Sequence, residues 1–174
     1  MNKLRDHHDI DSNPVGLPDK VVQELIPELD ALVASQFVIF HQYQKHHWLV
    51  EGPQFRDLHL FLAENYTAVH NEVDAIAERI TLLGGIPTSN PVNQSKISHI
   101  THESEGVFPI RECLVADMGA EGIIARNIRR VIAIANGHGD FGTKAVLEPI
   151  LLAVENRAHH LEHFLGKDTL LPLA

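Results

Sequence analysis

Apolar residues recur at steps of three and four along four long segments of the chain, which is the pattern of amphipathic α-helices. The predicted helices cover residues from about 19 to 50, 54 to 83, 110 to 136 and 143 to 165. The stripe of the second helix consists of Phe55, Leu58, Leu62, Tyr66, Val69, Val73, Ile76, Ile80 and Leu83. Pro27 is expected to kink the first helix or to delay its start, because proline lacks the amide hydrogen that an internal helical turn needs.

A long polar segment separates the second predicted helix from the third. Residues 86–109 contain three prolines and many serine, threonine and asparagine residues, so we expect a long crossover with one short helical turn. Two helices, a crossover and two further helices have the connectivity of a ferritin-like four-helix bundle. The predicted fold class is therefore all-α, with a flexible N-terminal tail at residues 1–18, the bundle at residues 19–168 and a C-terminal tail at residues 169–174.

The composition limits what such a bundle binds and where it works. The 174 residues carry 14 basic and 23 acidic side chains, and the net charge of -9 disfavours broad contact with nucleic acid. The chain has no long apolar run, no apolar leader near its start and a single cysteine, Cys113, so we expect a soluble, cytoplasmic protein with no membrane partner. Its 13 histidines favour metal binding, because histidine is the commonest metal ligand.

A second stripe on the second helix carries side chains that bind metals. Its members are His59, Ala63, Thr67, His70, Asp74 and Glu78. Asp74 and Glu78 are four residues apart, so their carboxylates project side by side, as ligation of a hard metal ion by oxygen requires. Such a pair repels itself unless a cation lies between the two groups. The alternative is a solvated helix face with Arg79 nearby.

Distance determines how these side chains can meet. At about 1.5 Å per residue, His59 lies roughly 22 Å from Asp74 and roughly 28 Å from Glu78, so one chain cannot close the site. Two copies of the helix packed antiparallel across a twofold axis place His59 of one chain opposite Glu78 of the other, and His47 completes the site. The chain contains no Glu-x-x-His motif, which argues against the ordinary di-iron site inside one subunit.

Three motifs occur together in the chain. They are the run His46-His47-Trp48-Leu-Val-Glu-Gly-Pro-Gln-Phe55-Arg-Asp-Leu-His59, the run Asp74-Ala-Ile-Ala-Glu78-Arg79, and Leu83-Gly-Gly. With these motifs the chain resembles the Dps mini-ferritins, the DNA-protection-during-starvation family, from about residue 20 onward. The resemblance implies inter-subunit iron ligands at His47, His59, Asp74 and Glu78. It also implies a hollow dodecamer that oxidises ferrous iron with hydrogen peroxide or oxygen and stores ferric mineral.

The chain departs from the family motif at Ala63, where the family usually has an aspartate. By the antiparallel pairing, His70 of the partner subunit faces this neighbourhood, and we hypothesise that its nitrogen replaces the missing oxygen ligand. The alternative for His70 is a hydrogen-bonded interface histidine. A site richer in nitrogen favours borderline metals, so zinc is expected to compete with iron.

Several other side chains have a functional and a structural explanation. Trp48 is either an electron donor that quenches stray oxidising equivalents or a large interface anchor. Asp140 and Glu148 either line an iron-entry pore at a threefold axis or are solvated charges. Cys113 is expected to be a buried small residue rather than a redox centre. His159, His160 and His163 on the fourth predicted helix are further candidates to replace the missing ligand, although a packing or surface role is expected for each.

The N-terminal tail predicts weak or absent DNA binding at neutral pH. It sets Lys3 and Arg5 against Asp6, Asp9 and Asp11, whereas DNA-binding members of the family generally use lysine-rich tails. The leading hypothesis is a ferroxidase and iron-storage cage. The alternatives are a nucleoid-associated protein that protects DNA, and a zinc-binding helical assembly with weak ferroxidase activity.

Overall fold

The computed structural model describes residues 2–167, which contain five α-helices. The helices are α1 (Asp19–Leu49), α2 (Phe55–Leu82), α3 (Pro91–Ile97), α4 (Ile110–Gly137) and α5 (Phe141–Leu165). No strand occurs in the described part of the chain, so the all-α prediction is confirmed. Within residues 2–167, no helix has both the length and the apolar character that crossing a membrane demands.

The helix boundaries follow the apolar periodicity closely. Each long helix begins and ends within two residues of its predicted limits, and α3 is the short helical turn expected in the crossover. Asn90 begins α3 by accepting a hydrogen bond from the amide of Val92, with Pro91 at the first helical position. The predicted delayed start at Pro27 is wrong, because α1 begins at Asp19 and continues through this exposed proline.

The helices pack as two pairs around one core. α1 lies along α2 and α4 lies along α5, as expected for helices joined by short connections. Contacts of α1 with α4 and of α2 with α5 bring the two pairs together. The fully buried side chains include Leu25, Leu29, Leu32, Leu62, Ile76, Ile124, Ile128 and Leu147. Shortening one such leucine to alanine costs about 2–5 kcal/mol.

Phe55 departs from the predicted core stripe of α2. Its side chain is 47% exposed, and its ring stacks on that of His59 with the centroids 4.9 Å apart. Phe55 is the first residue of α2, so it lies at the end of the bundle rather than between helices. The apolar stripe of α2 is therefore open to solvent at this end of the subunit.

The segment before α1 lies against the end of α2. The amide of Asp11 and the guanidinium of Arg5 both donate to the carbonyl oxygen of Gly84, at 3.0 and 3.1 Å. Gly84 has a φ of 89°, and a Cβ there would lie 2.2 Å from the Asp11 carbonyl oxygen, so this close approach requires glycine. The flexibility of residues 1–18 stays a prediction, and the predicted tail at residues 169–174 lies outside the described residues.

Candidate metal centre

The turn between α1 and α2 brings two histidines together. His47 lies in the last turn of α1, and His59 lies near the start of α2. Gly52 has a φ of 101°, a conformation that suits glycine and lets the chain reverse direction. The two imidazole rings stack with their centroids 3.8 Å apart and an interplanar angle of 21°. His47 and His59 are therefore neighbours within one subunit, as the sequence predicted.

Backbone carbonyl groups fix the orientation of both rings. Nδ1 of His47 is 2.8 Å from the carbonyl oxygen of His59, and Nδ1 of His59 is 3.0 Å from the carbonyl oxygen of His47. A carbonyl oxygen only accepts hydrogen bonds, so each Nδ1 carries a hydrogen and donates it. In the neutral rings the free lone pair then lies on Nε2, which is the arrangement of a typical metal-bound histidine. We call His47 and His59 the histidine half-site.

Asp74 and Glu78 lie exposed on the outer face of α2. Among the ion pairs of residues 2–167, none involves either carboxylate. Arg79, which the solvated-face explanation requires nearby, instead pairs with Asp140 at 2.6 Å. Within residues 2–167, these two neighbouring carboxylates thus have no cation at ion-pairing distance. We call Asp74 and Glu78 the acidic half-site.

The two half-sites do not meet within one subunit. Among residues 2–167, three side chains that could bind a metal bring their donor atoms together, namely His46, Glu103 and Cys113, and they belong to neither half-site. The unbroken helix α2 joins the half-sites, and its rise keeps His59 roughly 22 Å from Asp74. Within one subunit, the side chains of the two half-sites therefore stay apart.

Exposed apolar side chains flank the histidine half-site. Trp48, adjacent to His47, is 68% exposed, and Leu60, adjacent to His59, is 50% exposed. Large apolar groups exposed together mark an interaction surface. The exposure of Trp48 leaves both of its explanations, interface anchor and electron donor, open.

His70 lies on α2 between the two half-sites. Its side chain is exposed, and its ring centroid lies 5.8 Å from that of Phe40 in the same subunit. Within residues 2–167, no side-chain hydrogen bond involves the His70 ring, and the residue is exposed. Ala63, the position of the missing carboxylate, is half-buried on the same helix.

A buried polar cluster occupies the centre of the bundle, where ordinary di-iron subunits hold their metal pair. Arg157 of α5 donates to both oxygens of Glu72 on α2, at 2.5 and 2.9 Å, and to Glu121 on α4 at 2.6 Å. Gln36 donates to Glu72 at 3.0 Å, and the Tyr43 hydroxyl donates to Glu121 at 2.7 Å. The guanidinium supplies the positive charge that buried carboxylates require.

The carboxylates of Glu72 and Glu121 stabilise the charged form of Arg157 in the bundle centre. Burial by itself lowers the pKa of Arg157, but the charges and hydrogen bonds of Glu121 and Glu72 outweigh it and raise that pKa above its ordinary value. Burial raises the pKa of Glu121, and Arg157 opposes this effect. The apolar periodicity of the sequence did not predict this cluster. Its signal was a charged residue on an apolar stripe, since Glu72 lies between Val69 and Ile76.

Asp140 is neither a pore residue nor a solvated charge. It is 3% exposed, and its Oδ1 accepts hydrogen bonds from Arg79 at 2.6 Å and from the amide of Thr143 at 2.9 Å. These contacts make it the N-cap of α5, so both predictions for Asp140 are wrong. Glu148 is exposed.

The remaining candidate residues are three histidines on α5 and Cys113 on α4. His159 and His163 are exposed one turn apart, with their Nε2 atoms 3.1 Å from each other. His160 is also exposed, beside the ring of Phe61. Cys113 is 5% exposed and therefore buried, as predicted.

Comparison with known proteins identifies the family. A family model described as a ferritin-like domain matches residues 26–171. The chain is 40% identical over 167 residues to the nutrient stress-induced DNA-binding protein of Nostoc, covering 96% of this chain and 91% of that protein. It is 39% identical over 149 residues to the DNA protection during starvation protein of Halobacterium salinarum, covering 86% and 82%.

Solved structures agree with these matches. The archaeal Dps homologue from Halobacterium salinarum superposes with a TM-score of 0.94 at 35% identity, covering 99% of this chain and 96% of that chain. Dps from Thermosynechococcus elongatus gives a TM-score of 0.84 at 27% identity, covering 88% and 98%. The class that the fold defines is the ferritin-like bundle. Within that class, the chain belongs to the Dps mini-ferritin family.

Proposed function

We propose that this protein is a ferroxidase that stores iron, with dinuclear sites shared between two subunits of a dodecameric cage in the cytoplasm. One observation carries the proposal: carbonyl groups hold His47 and His59 so that both Nε2 atoms are ready to bind a metal ion. The separation of the histidine half-site from the acidic half-site supports a site completed by a second copy. A structure of Vibrio cholerae Dps, 25% identical, is described as a member of the ferritin-like diiron-carboxylate superfamily.

In the proposed mechanism ferrous iron is the substrate. The imidazoles of the histidine half-site bind it from one side, and the acidic half-site of the partner subunit binds it from the other. Each ferrous ion gives up one electron, and one hydrogen peroxide takes two electrons and two protons to form two waters. Oxygen is the alternative oxidant. The carboxylates favour the ferric product, because harder ions prefer oxygen ligands.

We further propose that His70 of the partner subunit compensates for Ala63. Its exposed imidazole lies on the same helix as the acidic half-site, so antiparallel pairing of two α2 helices brings it towards the histidine half-site of the other subunit. A nitrogen ligand in place of a carboxylate makes the site more favourable to zinc. Zinc is therefore expected to compete with iron.

Ferrous iron oxidation by the purified protein tests the function directly. The metal-free protein, mixed anaerobically with ferrous iron and then with hydrogen peroxide or oxygen, is followed by the absorbance of the ferric product. His59→Ala is expected to slow oxidation at least about tenfold, because it removes a direct ligand. His138→Ala is the matched control, since His138 is exposed, pairs with Glu24 at 2.8 Å and belongs to neither half-site.

Two outcomes would redirect the proposal. If His59→Ala oxidises iron as fast as the parent protein, the histidine half-site is not the ferroxidase site. If the parent protein binds zinc but forms no ferric product with either oxidant, the alternative of a zinc-binding helical assembly replaces the ferroxidase.

DNA protection is the second candidate function, because two relatives carry DNA in their names. Here the cations of the N-terminal segment are already paired: Lys3 with Asp6 at 3.0 Å and Arg5 with Asp11 at 3.4 Å. With a net charge of -9, the chain offers few free cations to phosphates, so weak or absent DNA binding is expected at neutral pH. A gel shift at low salt showing tight binding would favour the DNA-coating alternative.

A further inference from the structure

Three metal-ligating side chains converge at a place separate from both half-sites. His46 lies on α1, Glu103 lies on the crossover between α3 and α4, and Cys113 lies on α4. One donor atom from each lies within 4.8 Å of the other two. His46 is 2% exposed and Cys113 is 5% exposed, so the group is shielded from solvent.

One buried nitrogen of this group lacks a good partner. His46 Nε2 lies 3.1 Å from Glu103 Oε1 without making a hydrogen bond of acceptable geometry, whereas Glu103 Oε1 forms an ion pair with Lys45 at 2.6 Å. An unsatisfied buried polar group costs about 1–3 kcal/mol. The other ring nitrogen, His46 Nδ1, lies 2.7 Å from a carboxylate oxygen of Asp117. A carboxylate behind an imidazole is the usual support for a metal bound at the opposite nitrogen.

A cavity of about 110 Å³ opens onto the three side chains. Apolar groups, including Leu49, Val50 and Phe108, form much of the remaining wall. A water molecule occupies about 30 Å³ in the liquid, so the cavity has room for an ion and a water molecule.

We propose that His46, Glu103 and Cys113 bind one zinc ion per subunit, with a water molecule in the fourth position facing the cavity. Zinc prefers four ligands in a tetrahedron, and imidazole nitrogen, thiolate sulfur and carboxylate oxygen are its usual protein ligands. Ligand atoms around tetrahedral zinc lie roughly 3.5 Å apart, so the three donors need only small side-chain movements to close on the ion.

The surrounding charges are compatible with this ion. Glu103 and Asp117 bring two carboxylates, whereas Lys45 brings one ammonium group, 2.6 Å from Glu103 Oε1. Zinc with one bound thiolate adds a single positive charge and so neutralises the group. Lys45 retains the carbonyl oxygen of Ser104, at 2.8 Å, when Glu103 turns towards the ion.

The thiol of Cys113 must lose its proton when zinc binds. Burial, with the nearby charges of Glu103 and Asp117, raises the pKa of this thiol to about 11 in the metal-free protein. A coordinated thiol is deprotonated by the metal, so its proton leaves to solvent as the zinc–sulfur bond forms. The bound ion then ties the crossover to α1 and α4, one residue from His47. The ligands of this site are thus distinct from those of the proposed ferroxidase, although His46 adjoins His47 in the chain.

Cobalt is the probe that separates this site from the half-sites. The chain has 1 cysteine, and neither half-site contains sulfur, so a thiolate-to-cobalt charge-transfer band in the near ultraviolet can come only from Cys113. Metal-free oligomer titrated anaerobically with cobalt is expected to develop this band to one ion per subunit. Zinc is expected to remove the band by displacing cobalt.

Four variants complete the test. Cys113→Ser should abolish the band, whereas His59→Ala, which alters the ferroxidase half-site, should keep it. Glu103→Gln and His46→Gln should each weaken zinc binding at least about tenfold, and circular dichroism checks that every variant is folded. The proposal is overturned if the parent protein shows no thiolate band. It is also overturned if both Glu103→Gln and His46→Gln bind cobalt through sulfur as tightly as the parent.

Discussion

Glu72 and Glu78 lie six residues apart on the same helix, yet their surroundings are opposite. Glu72 is 8% exposed, and Arg157 of the same subunit donates to both of its oxygens. Glu78 is exposed, and within residues 2–167 it has no ion pair. The buried carboxylate has a cation supplied by its own chain. The exposed carboxylate of Glu78, beside Asp74, has no such cation in the described part of its own chain.

This difference explains why the chemistry of the subunit is expected at its surface. Ordinary di-iron bundles use the internal position for metal, but here a guanidinium occupies it and the buried charges are satisfied. The acidic half-site has the reverse balance, with two like charges on adjacent turns of α2. We therefore expect stability to depend on the bundle centre and metal binding to depend on the outer face of α2.

The largest expected effect comes from removing the internal cation. Arg157→Leu leaves Glu72 and Glu121 buried without it and should lower the free energy of unfolding by about 3–5 kcal/mol. Thermal and urea unfolding at matched protein concentration measure the change. Arg129→Leu is the control: its pair with Glu155 at 2.6 Å is exposed and should contribute less than about 1 kcal/mol. Equal losses in the two variants would contradict the role of the buried cluster.

The two glutamates themselves give the next prediction. Glu72→Gln weakens charged hydrogen bonds with Arg157 and should cost about 1.5–3 kcal/mol of stability while leaving iron oxidation intact. Glu78→Gln should change the stability of the metal-free protein by less than about 0.5 kcal/mol, because Glu78 is exposed. It should slow iron oxidation at least about tenfold. The comparison fails if both variants show the same pattern in unfolding and in oxidation.

A smaller effect is expected at His70. His70→Ala should weaken binding of ferrous iron and zinc to the shared site by about tenfold, or about 1.4 kcal/mol, because one nitrogen ligand is lost. Titration of the metal-free protein with each metal measures this change. Asn71→Ala, at the neighbouring exposed position, is the control. The hypothesis that His70 replaces the carboxylate missing at Ala63 fails if affinity and oxidation rate are both unchanged.

The smallest effect concerns an ion pair between α1 and α4. Hydrogen bonds from Arg130 lower the pKa of Glu28, although partial burial opposes the change. The fold therefore favours the charged carboxylate, so its contribution is present at neutral pH and is lost as the pH falls through the lowered pKa. Glu28→Gln should cost less than about 1 kcal/mol at neutral pH, since Arg130 is largely exposed. The free energies of unfolding of the parent protein and of Glu28→Gln, measured at neutral and at acid pH, should differ at neutral pH and converge in acid. A difference that grows in acid would contradict this role of Glu28.

The sequence predicted the helices well because their apolar stripes are long and regular. The prediction that Phe55 belongs to the core was wrong, because periodicity does not show where an apolar stripe extends beyond the end of the bundle. The distance between the two half-sites could also be predicted from the sequence, because the rise of one continuous helix sets the separation of His59 from Asp74.

Contacts between residues that are far apart in the chain could not be predicted from the sequence. Arg157 donates hydrogen bonds to Glu72, which is 85 positions away in the chain, and no local sequence pattern predicts such a pair. The same holds for Arg79 and Asp140, which are 61 positions apart. Buried polar side chains were visible only as breaks in an apolar stripe, and their partners follow from tertiary packing.

Mixing two inactive variants tests the shared site most directly. In a pair formed by a His59→Ala subunit and a Glu78→Ala subunit, one of the two interface sites combines an intact histidine half-site with an intact acidic half-site. Random assembly of equal amounts, by co-expression, should therefore restore about a quarter of the parental sites, although each variant alone has no intact shared site. A mixture of His47→Ala and His59→Ala is the matched control and should stay inactive, because no subunit then carries an intact histidine half-site. Recovery of iron oxidation in the first mixture alone is the predicted result; no recovery there, from mixed oligomers verified by mass spectrometry, would contradict a site built from two subunits.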